Sequence, residues 1–254
     1  MMGGSSVLHL AEDRASAGRL VADRVAAALH ARKDAVLGVA TGSTPEPVWA
    51  ALAERALDLA RVRAFALDEY FDIAEDHPER YRAVVEREIV RPLGLDPALV
   101  RTPGDDGRDA GAPERFEHAL AAAGGIDMQV LGIGSNGHIA FNEPGSAFDS
   151  RTRIARLTEE TRRDNARFFS SLDDVPRRCI TQGIGTILEA RSIVLLAFGP
   201  HKAPAIAAAL EGPVTTAMPA SALQLHPRVT VVVDRAAAAG LRHPERLRSA
   251  GELV

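Results

Sequence analysis

Cysteine is nearly absent from this chain: among 254 residues only Cys179 is a cysteine, which excludes an internal disulfide. A protein without disulfides fits a reducing compartment, and we expect it in the cytoplasm. Two arginines precede Cys179 and could lower the pKa of its thiol, but residues 180–190 predict a helix packed on a core. That pattern favours an inert buried thiol over a nucleophile.

Long apolar runs and clusters of basic residues are also missing. No run approaches the ~18 apolar residues of a membrane-spanning helix, and residues 1–14 lack the basic and apolar regions of a signal peptide. Basic and acidic residues are spread along the chain, with a formal net charge of -4, so neither nucleic acid nor an anionic membrane is an expected partner. The histidines are scattered, without H-E-x-x-H or a cysteine pair, and we expect no metal site.

Apolar strand patterns alternate with amphipathic helical patterns along the whole chain. Such alternation predicts an α/β fold, a mostly parallel sheet with helices on both faces, in a single domain covering residues 1–254. The segment 95–112, rich in proline and glycine, predicts a surface excursion. Strands are predicted at 35–40, 62–67, 127–131, 192–197 and 228–233, and helices at 15–31, 45–57, 78–89, 112–123, 158–170, 180–190, 202–210 and from 235.

A glycine-rich loop, 132–145, follows the predicted strand 127–131 and carries His138 and Glu143. Chemistry in open α/β sheets collects at the carboxyl ends of strands, and an imidazole oriented by a carboxylate can move protons near neutral pH. The loop also spells G-x-G-x-x-G, the dinucleotide fingerprint. Pro144 and Gly145 would end any helix there almost at once, so we reject a nucleotide site.

The motif T-G-S-T-P at 41–45 lies between a predicted strand and a predicted helix. Ser43 or Thr44 suits the N-cap, and free backbone N–H groups with hydroxyls at a helix start make a general phosphate site. A well-capped helix without a ligand explains the motif equally well. Because G-K-[ST] is missing, the motif does not indicate a nucleoside triphosphate.

Three further positions carry charge where strands end or helices begin. Asp68 and Glu69 follow an apolar strand, where a partly buried carboxylate could act as a general base, although a turn-capping Asp68 beside a solvated Glu69 is the simpler interpretation. Lys202 opens a helix against the helix dipole, which is explained if its ammonium reaches an anion in the same cleft. Arg167 is a second candidate for holding that anion.

Taken together, these loops resemble those of the glucosamine-6-phosphate deaminase (isomerase) family, in order from about residue 38 to 234. The related 6-phosphogluconolactonases share a similar G-H loop but diverge after the histidine. The matching motifs are T-G-S-T-P at 41–45, L-D-E-Y at 67–70, D-H-P-E at 76–79 with Tyr81, G-H-I-A-F-N-E-P at 137–144, S-R-T-R at 150–153, N-A-R-F-F at 165–169, G-I-G-T-I at 183–187, G-P-H-K-A at 199–203 and S-A-L-Q-L-H at 221–226.

The resemblance implies a modified Rossmann-like fold and a hydrolase of amino sugar metabolism, acting in N-acetylglucosamine catabolism. Such an enzyme converts glucosamine 6-phosphate and water to fructose 6-phosphate and ammonia, without cofactor or metal. It further implies that Asp68 moves the C2 proton to C1, and that His138, with Asn136 and Glu143, opens the sugar ring. The phosphate would bind Thr41, Gly42, Ser43 and Thr44, clamped by Arg167 and Lys202, beneath a mobile lid at about 152–178.

Two departures from the family pattern affect these expectations. Asn136 stands where the family often has Asp, which predicts a less basic His138. Ala155 stands where members activated by N-acetylglucosamine 6-phosphate have a basic residue, so neither that activation nor the accompanying hexamer is predicted. A monomer and a homo-oligomer both remain open.

Two other functions compete with this one. No residue in the sequence distinguishes glucosamine 6-phosphate from its C4 epimer, galactosamine 6-phosphate. Related domains of bacterial regulators bind sugar phosphates without catalysis, usually beside a helix-turn-helix that we do not find here. The presence of Asp68, His138 and Glu143 together favours an enzyme over such a sensor.

Overall fold

The computed structural model of this chain describes residues 7–32 and 34–249. The signal-peptide expectation for residues 1–14 therefore falls partly outside the described residues. The strands are β1 Val7–Ala11, β2 Val36–Val39, β3 Arg63–Ala66, β4 Asp68–Tyr70, β5 Val100–Arg101, β6 Met128–Leu131, β7 Arg153–Arg156, β8 Arg178–Thr181, β9 Ile193–Ala197, β10 Val229–Asp234 and β11 Leu247–Ser249.

The helices connect and cover these strands. They are α1 Arg14–Ala31, α2 Glu46–Ala53, α3 Tyr81–Val85, α4 Arg91–Leu93, α5 Ala112–Ala122, α6 Glu159–Asn165, α7 Ile184–Leu188 and α8 Ala203–Glu211. A π-helical turn, Glu86–Val90, joins α3 to α4. Within the described ranges, no helix has the length and apolar character needed to cross a membrane.

Eight strands form one sheet in the order β11-β1-β10-β9-β6-β2-β3-β5, and every neighbouring pair is parallel. Side chains of its central strands point alternately into two apolar layers, as Leu196 and Leu195 do on β9. One layer packs against α1 and α2, and the other against α5 and α8. The predicted α/β fold, with a mostly parallel sheet covered on both faces, is confirmed.

A second, antiparallel sheet, β4-β8-β7, was not expected from the sequence. The predicted helix 180–190 is wrong, because Ile180 and Thr181 belong to β8 and only Ile184–Leu188 is helical. Strand β8 pairs with β4 on one side and β7 on the other, and these long-range hydrogen bonds outweigh local helical periodicity. Cys179 lies on β8 and is buried, and burial raises the pKa of its thiol well above the usual range.

Three smaller expectations also change. The segment 95–112 contributes β5, an edge strand that pairs with β3, in addition to surface turns. The helix predicted from 235 is only a 3-10 turn, Ala237–Gly240. The helix predicted at 158–170 is shortened to α6 followed by a 3-10 turn, Ala166–Phe168.

Candidate active site

A cleft of about 390 Å³ lies at the carboxyl edge of the parallel sheet. The order β9-β6-β2-β3 places four strands side by side, so the segments that follow them converge there. Among the residues predicted from sequence, Asn136 and Glu143 do not line the cleft, and they lie behind His138. Those that line it are Thr41, Gly42, Ser43, Thr44, Asp68, His138, Arg167 and Lys202.

Asp68 begins β4 and lines the cleft, where 8% of its surface is exposed. Burial, and secondarily the neighbouring charge of Glu69, raise the pKa of Asp68 to about 8. The apolar walls that cause this include Phe141 and the ring of Tyr81. A carboxylate with a pKa near neutrality can both accept and return a proton, as a general base requires.

Glu69 has a different role, although it is the next residue in the chain. Its carboxylate is fully buried and accepts the backbone N–H groups of Tyr70 at 2.8 Å, Tyr81 at 2.8 Å and Arg82 at 2.9 Å. Two of these groups belong to the first turn of α3 and lack intrahelical partners. The interpretation of a turn-capping Asp68 beside a solvated Glu69 is therefore wrong, because Glu69 is the buried capping carboxylate and Asp68 is the one presented to the cleft.

His138 is held by a chain of hydrogen bonds that runs away from the cleft. Its Nδ1 donates to Asn136 Oδ1 at 2.8 Å, and Asn136 Nδ2 donates to Glu143 Oε2 at 2.9 Å. Because a carboxylate only accepts, the amide orientation of Asn136 is determined, and its oxygen must face the imidazole. Nδ1 therefore carries the proton in the neutral ring, and Nε2 is the basic nitrogen.

Charge and burial compete along this chain of hydrogen bonds. Burial lowers the pKa of His138, and the negative charge of Glu143 opposes that effect only in part. Burial acts to raise the pKa of Glu143, but hydrogen bonds, led by one from Thr161, and the nearby imidazole bring it below its usual value. The pKa of His138 is thus lowered chiefly by burial, whereas the expectation of a less basic His138 was drawn from Asn136.

Gly134 makes room for the imidazole. A Cβ at this position would lie 2.2 Å from Cε1 of His138, far inside contact distance. The loop closes on itself here, since the Gly134 N–H donates to the His138 carbonyl at 2.9 Å. Gly134 therefore serves close packing around His138.

Two cations, Arg167 and Lys202, line the cleft together with the loop 41–44, and we call this part of the lining the cationic end. Burial lowers the pKa of Lys202, with Asp164 opposing and Arg167 adding to the effect. Within the described ranges, neither Lys202 nor Arg167 forms an ion pair with a carboxylate, so both charges are available to an anion. Ser43 and Thr44 do not cap α2, because its N-cap is Pro45 without a side-chain hydrogen bond, which leaves their hydroxyls for a ligand.

Residues of α6 and of the 3-10 turn after it, within the segment 152–178, line the cleft. Thr158 caps α6, and its N–H and hydroxyl donate to Glu143 Oε1 at 3.2 and 3.1 Å. Asn165 Nδ2 donates to the Tyr70 hydroxyl at 3.1 Å. The sequence analysis did not predict these contacts. The signal that could have indicated them is the spacing of Thr158, Thr161 and Asn165, which places them on one polar face of a helix.

Across the part of the chain that the structure describes, no group of three or more His, Cys, Asp or Glu side chains has the arrangement of a metal site. The polar groups that line the cleft instead include two candidates for proton transfer, Asp68 and His138, and two cations, Arg167 and Lys202. Such a lining suits a small substrate that carries a phosphate and exchanges protons.

Comparison with known proteins gives a consistent result. Residues 11–232 match the family model described as glucosamine-6-phosphate isomerases/6-phosphogluconolactonase. A glucosamine-6-phosphate deaminase of Streptomyces avermitilis is 53% identical over 242 residues, covering 93% of each chain. One of Bifidobacterium longum is 50% identical over 255 residues, covering 95% of this chain and 94% of the relative.

Solved structures agree with these sequence relationships. A monomeric glucosamine-6-phosphate deaminase superposes with a TM-score of 0.89 at 37% identity, covering 92% of this chain and 99% of the other. A 6-phosphogluconolactonase from Trypanosoma cruzi has a TM-score of 0.75 at 19% identity, covering 95% of this chain and 98% of the other. At that identity the second likeness concerns the fold alone.

Proposed function

This chain belongs to the glucosamine-6-phosphate isomerase and 6-phosphogluconolactonase family, and from that premise we propose how its cleft works. It is a glucosamine-6-phosphate deaminase, an enzyme of amino sugar metabolism that converts glucosamine 6-phosphate and water to fructose 6-phosphate and ammonia. One observation carries the mechanism. The cleft is lined by the Asp68 carboxyl group, of pKa about 8, by the oriented imidazole of His138, and by two cations that form no ion pair within the described ranges.

His138 opens the sugar ring. Its basic Nε2 takes the proton of the C1 hydroxyl and returns a proton to the ring oxygen, so that the C1–O5 bond breaks and a C1 carbonyl forms. The lowered pKa of His138 supports this role, since the neutral ring needed to accept the first proton is then the form present at neutral pH. Asn136 and Glu143 hold the imidazole of His138 in the tautomer with the proton on Nδ1.

Asp68 then moves a proton between adjacent carbons. Its carboxylate removes the C2 proton next to the new carbonyl, giving an enediol-type intermediate, and returns the proton to C1. One proton of the C2 amine passes to O1, so that C1 becomes a CH₂OH group and C2 becomes an imine. Water then adds to C2, and the C2–N bond breaks to release ammonia and leave the ketone. One carboxylate can serve both carbons because they are neighbours.

The phosphate supplies binding energy far from the reacting carbons. Lys202 and Arg167, with the hydroxyls and N–H groups of the loop 41–44, would hold it at the cationic end of the cleft. Fixing this end positions the C1–C2 edge against Asp68, which is how remote binding contributes to rate. The segment 152–178 acts as a lid that excludes water during proton transfer.

The wider setting of the reaction is also part of this proposal. We assign the whole chain, residues 1–254, to one deaminase domain, acting in the cytoplasm in the breakdown of N-acetylglucosamine. The single buried thiol supports a reducing compartment. The steps above move only protons and water, so the reaction as written consumes no redox partner.

The test is to supply purified protein with glucosamine 6-phosphate and measure ammonia and fructose 6-phosphate together. Equal release of both products, reduced at least ~100-fold in Asp68→Asn, is the expected result. Turnover of galactosamine 6-phosphate alone would move the assignment to the epimer. Binding of either sugar phosphate without any turnover would make the protein a sensor and overturn the mechanism.

A further inference from the structure

Arg14 links two loops of the cationic end without lining the cleft itself. Its Nη2 donates to the carbonyl of Ser43, in the loop that follows β2. Its Cζ lies 5.4 Å from the centroid of the Phe198 ring, in the turn that follows β9. Strands β2 and β9 are not neighbours, since β6 lies between them, so no sheet hydrogen bond joins these two loops directly.

The bond to Ser43 determines which way the next N–H points. The carbonyl of Ser43 and the N–H of Thr44 belong to one trans peptide unit, and they project in opposite directions. Arg14 lies outside the cleft and draws the carbonyl towards itself, so the Thr44 N–H is directed to the opposite side. No other residue in the described ranges accepts this N–H, and Thr44 lines the cleft.

The contact with Phe198 supports the second loop. Phe198 is buried and begins the turn to Lys202. Gly199 has a φ of 87°, and its N–H donates to the Asp234 carboxylate at 2.9 Å. The guanidinium over Phe198 and the carboxylate on Gly199 therefore hold the start of this turn from two sides, and Lys202 follows three residues later.

Helix formation does not explain an arginine at this place. Arg14 is the first residue of α1, where a cation opposes the helix dipole. The side chain is exposed and forms no ion pair among the described residues. What it does contact are the two loops that carry the cationic end of the cleft.

We propose that Arg14 is a positioning residue for the phosphate of the substrate, and this inference rests on the proposed function. It holds the loop 41–44 and the Phe198–Lys202 turn at the spacing that one phosphate bridges. Its planar guanidinium does both tasks at once, donating in its plane and stacking through its face. The residue acts on binding and leaves the proton transfers to Asp68 and His138.

The test compares Arg14→Ala, Arg14→Lys and Arg19→Ala. Arg19 is an exposed arginine on the same helix, so its replacement changes net charge equally without touching either loop. We expect Arg14→Ala to raise the KM for glucosamine 6-phosphate roughly tenfold with kcat within about twofold, as loss of uniform binding predicts. The dissociation constant of inorganic phosphate, measured by calorimetry, should rise by a similar factor.

Arg14→Lys separates positioning from charge. The ammonium of lysine cannot stack on the Phe198 ring and donate to the Ser43 carbonyl at once, so Arg14→Lys should recover less than half of the lost phosphate affinity. Arg19→Ala should match the wild type. The proposal is overturned if Arg14→Ala keeps its phosphate affinity, if Arg14→Lys is fully restored, or if Arg19→Ala is equally weakened. Calorimetry with phosphate needs no turnover, so a failure of the proposed function in the wild-type assay is distinguished from a failure here.

Discussion

The carboxylates of Asp68 and Glu69 belong to consecutive residues of β4 and face opposite sides of that strand. One lines the cleft with no capping duty, and the other is buried beneath α3, accepting three backbone N–H groups. The same pair of acids thus supplies one group for chemistry and one for structure. Replacing each by its amide should affect stability in opposite directions.

Glu69→Gln should destabilise the fold by about 2–4 kcal/mol, because the amide keeps one acceptor oxygen and sets an NH₂ group against backbone donors. The measurement is urea unfolding at pH 7. Glu12→Gln, at an exposed position just before α1, is the matched control and should lie within about 0.5 kcal/mol of the wild type. A loss below about 1 kcal/mol for Glu69→Gln would contradict the capping role.

Asp68→Asn should be more stable than the wild type at high pH. The pKa of Asp68 is about 8 in the folded protein, against 3.8 without its surroundings. Between these values the folded state retains a proton that the unfolded chain releases, so the free energy of unfolding falls as pH rises. The contribution of this bound proton to the free energy of unfolding is complete below about pH 4 and is lost as the pH rises through 8.

An amide at position 68 has no such dependence, so the advantage of Asp68→Asn should already be present at pH 5 and grow by roughly 1.4 kcal/mol per pH unit until it levels off above about pH 8. Unfolding in urea at pH 5, 7 and 9 measures it. Asp173→Asn, at an exposed position, should show no comparable trend. A constant difference between Asp68→Asn and wild type at all three values would refute the raised pKa.

Asn136→Asp should raise the pKa of His138. The new carboxylate still accepts from Nδ1, but it can no longer donate to Glu143, whose Oε2 lies 2.9 Å from the replaced nitrogen. The added negative charge favours the protonated imidazole, by roughly one pKa unit. NMR titration of the His138 ring in both proteins measures the shift. An unchanged His138 titration would show that Asn136 has no electrostatic influence on the ring.

Thr158→Val should weaken the connection between α6 and Glu143. The variant loses the hydroxyl that donates to Glu143 Oε1 and caps α6, at a cost of about 1 kcal/mol for the cap alone. We expect kcat/KM to fall roughly three- to tenfold, and Thr158→Ser to restore it. Ser171→Ala removes a local hydrogen bond elsewhere in the same segment and should have little effect. Equal losses in the serine and valine variants would rule out the hydroxyl as the cause.

Much of the fold followed from local pattern. The central strands and the helices α1, α2, α5 and α8 have strong apolar periodicity, and the structure contains each of them within a few residues. The sheet β4-β8-β7 did not follow, because its strands are short and their pairing joins distant segments, as Asp68 opposite Thr181 illustrates. A residue pattern near Ile180 that fits a helix becomes a strand once two neighbours supply hydrogen bonds.

The residues of the candidate site also fall into two groups, those that local sequence predicted and those that only the structure revealed. Loops at the ends of strands, together with the family resemblance, were enough to select His138, Asp68, Lys202 and the loop 41–44, whose catalytic and binding roles remain predictions. Thr158 and Arg14 carry no comparable signal, since each acts through a partner far away in sequence. Their importance depends on where β6 and β2 place those partners.

The sequence by itself determined which chemical groups this protein possesses and at which strand ends they occur, because side-chain identity and apolar periodicity are local properties. Only the tertiary structure decided which of two adjacent acids faces the cleft, which nitrogen of His138 is basic, and which arginine joins the two loops. Those outcomes depend on burial and on hydrogen bonds across space, and the free energies of both arise only when distant segments pack together.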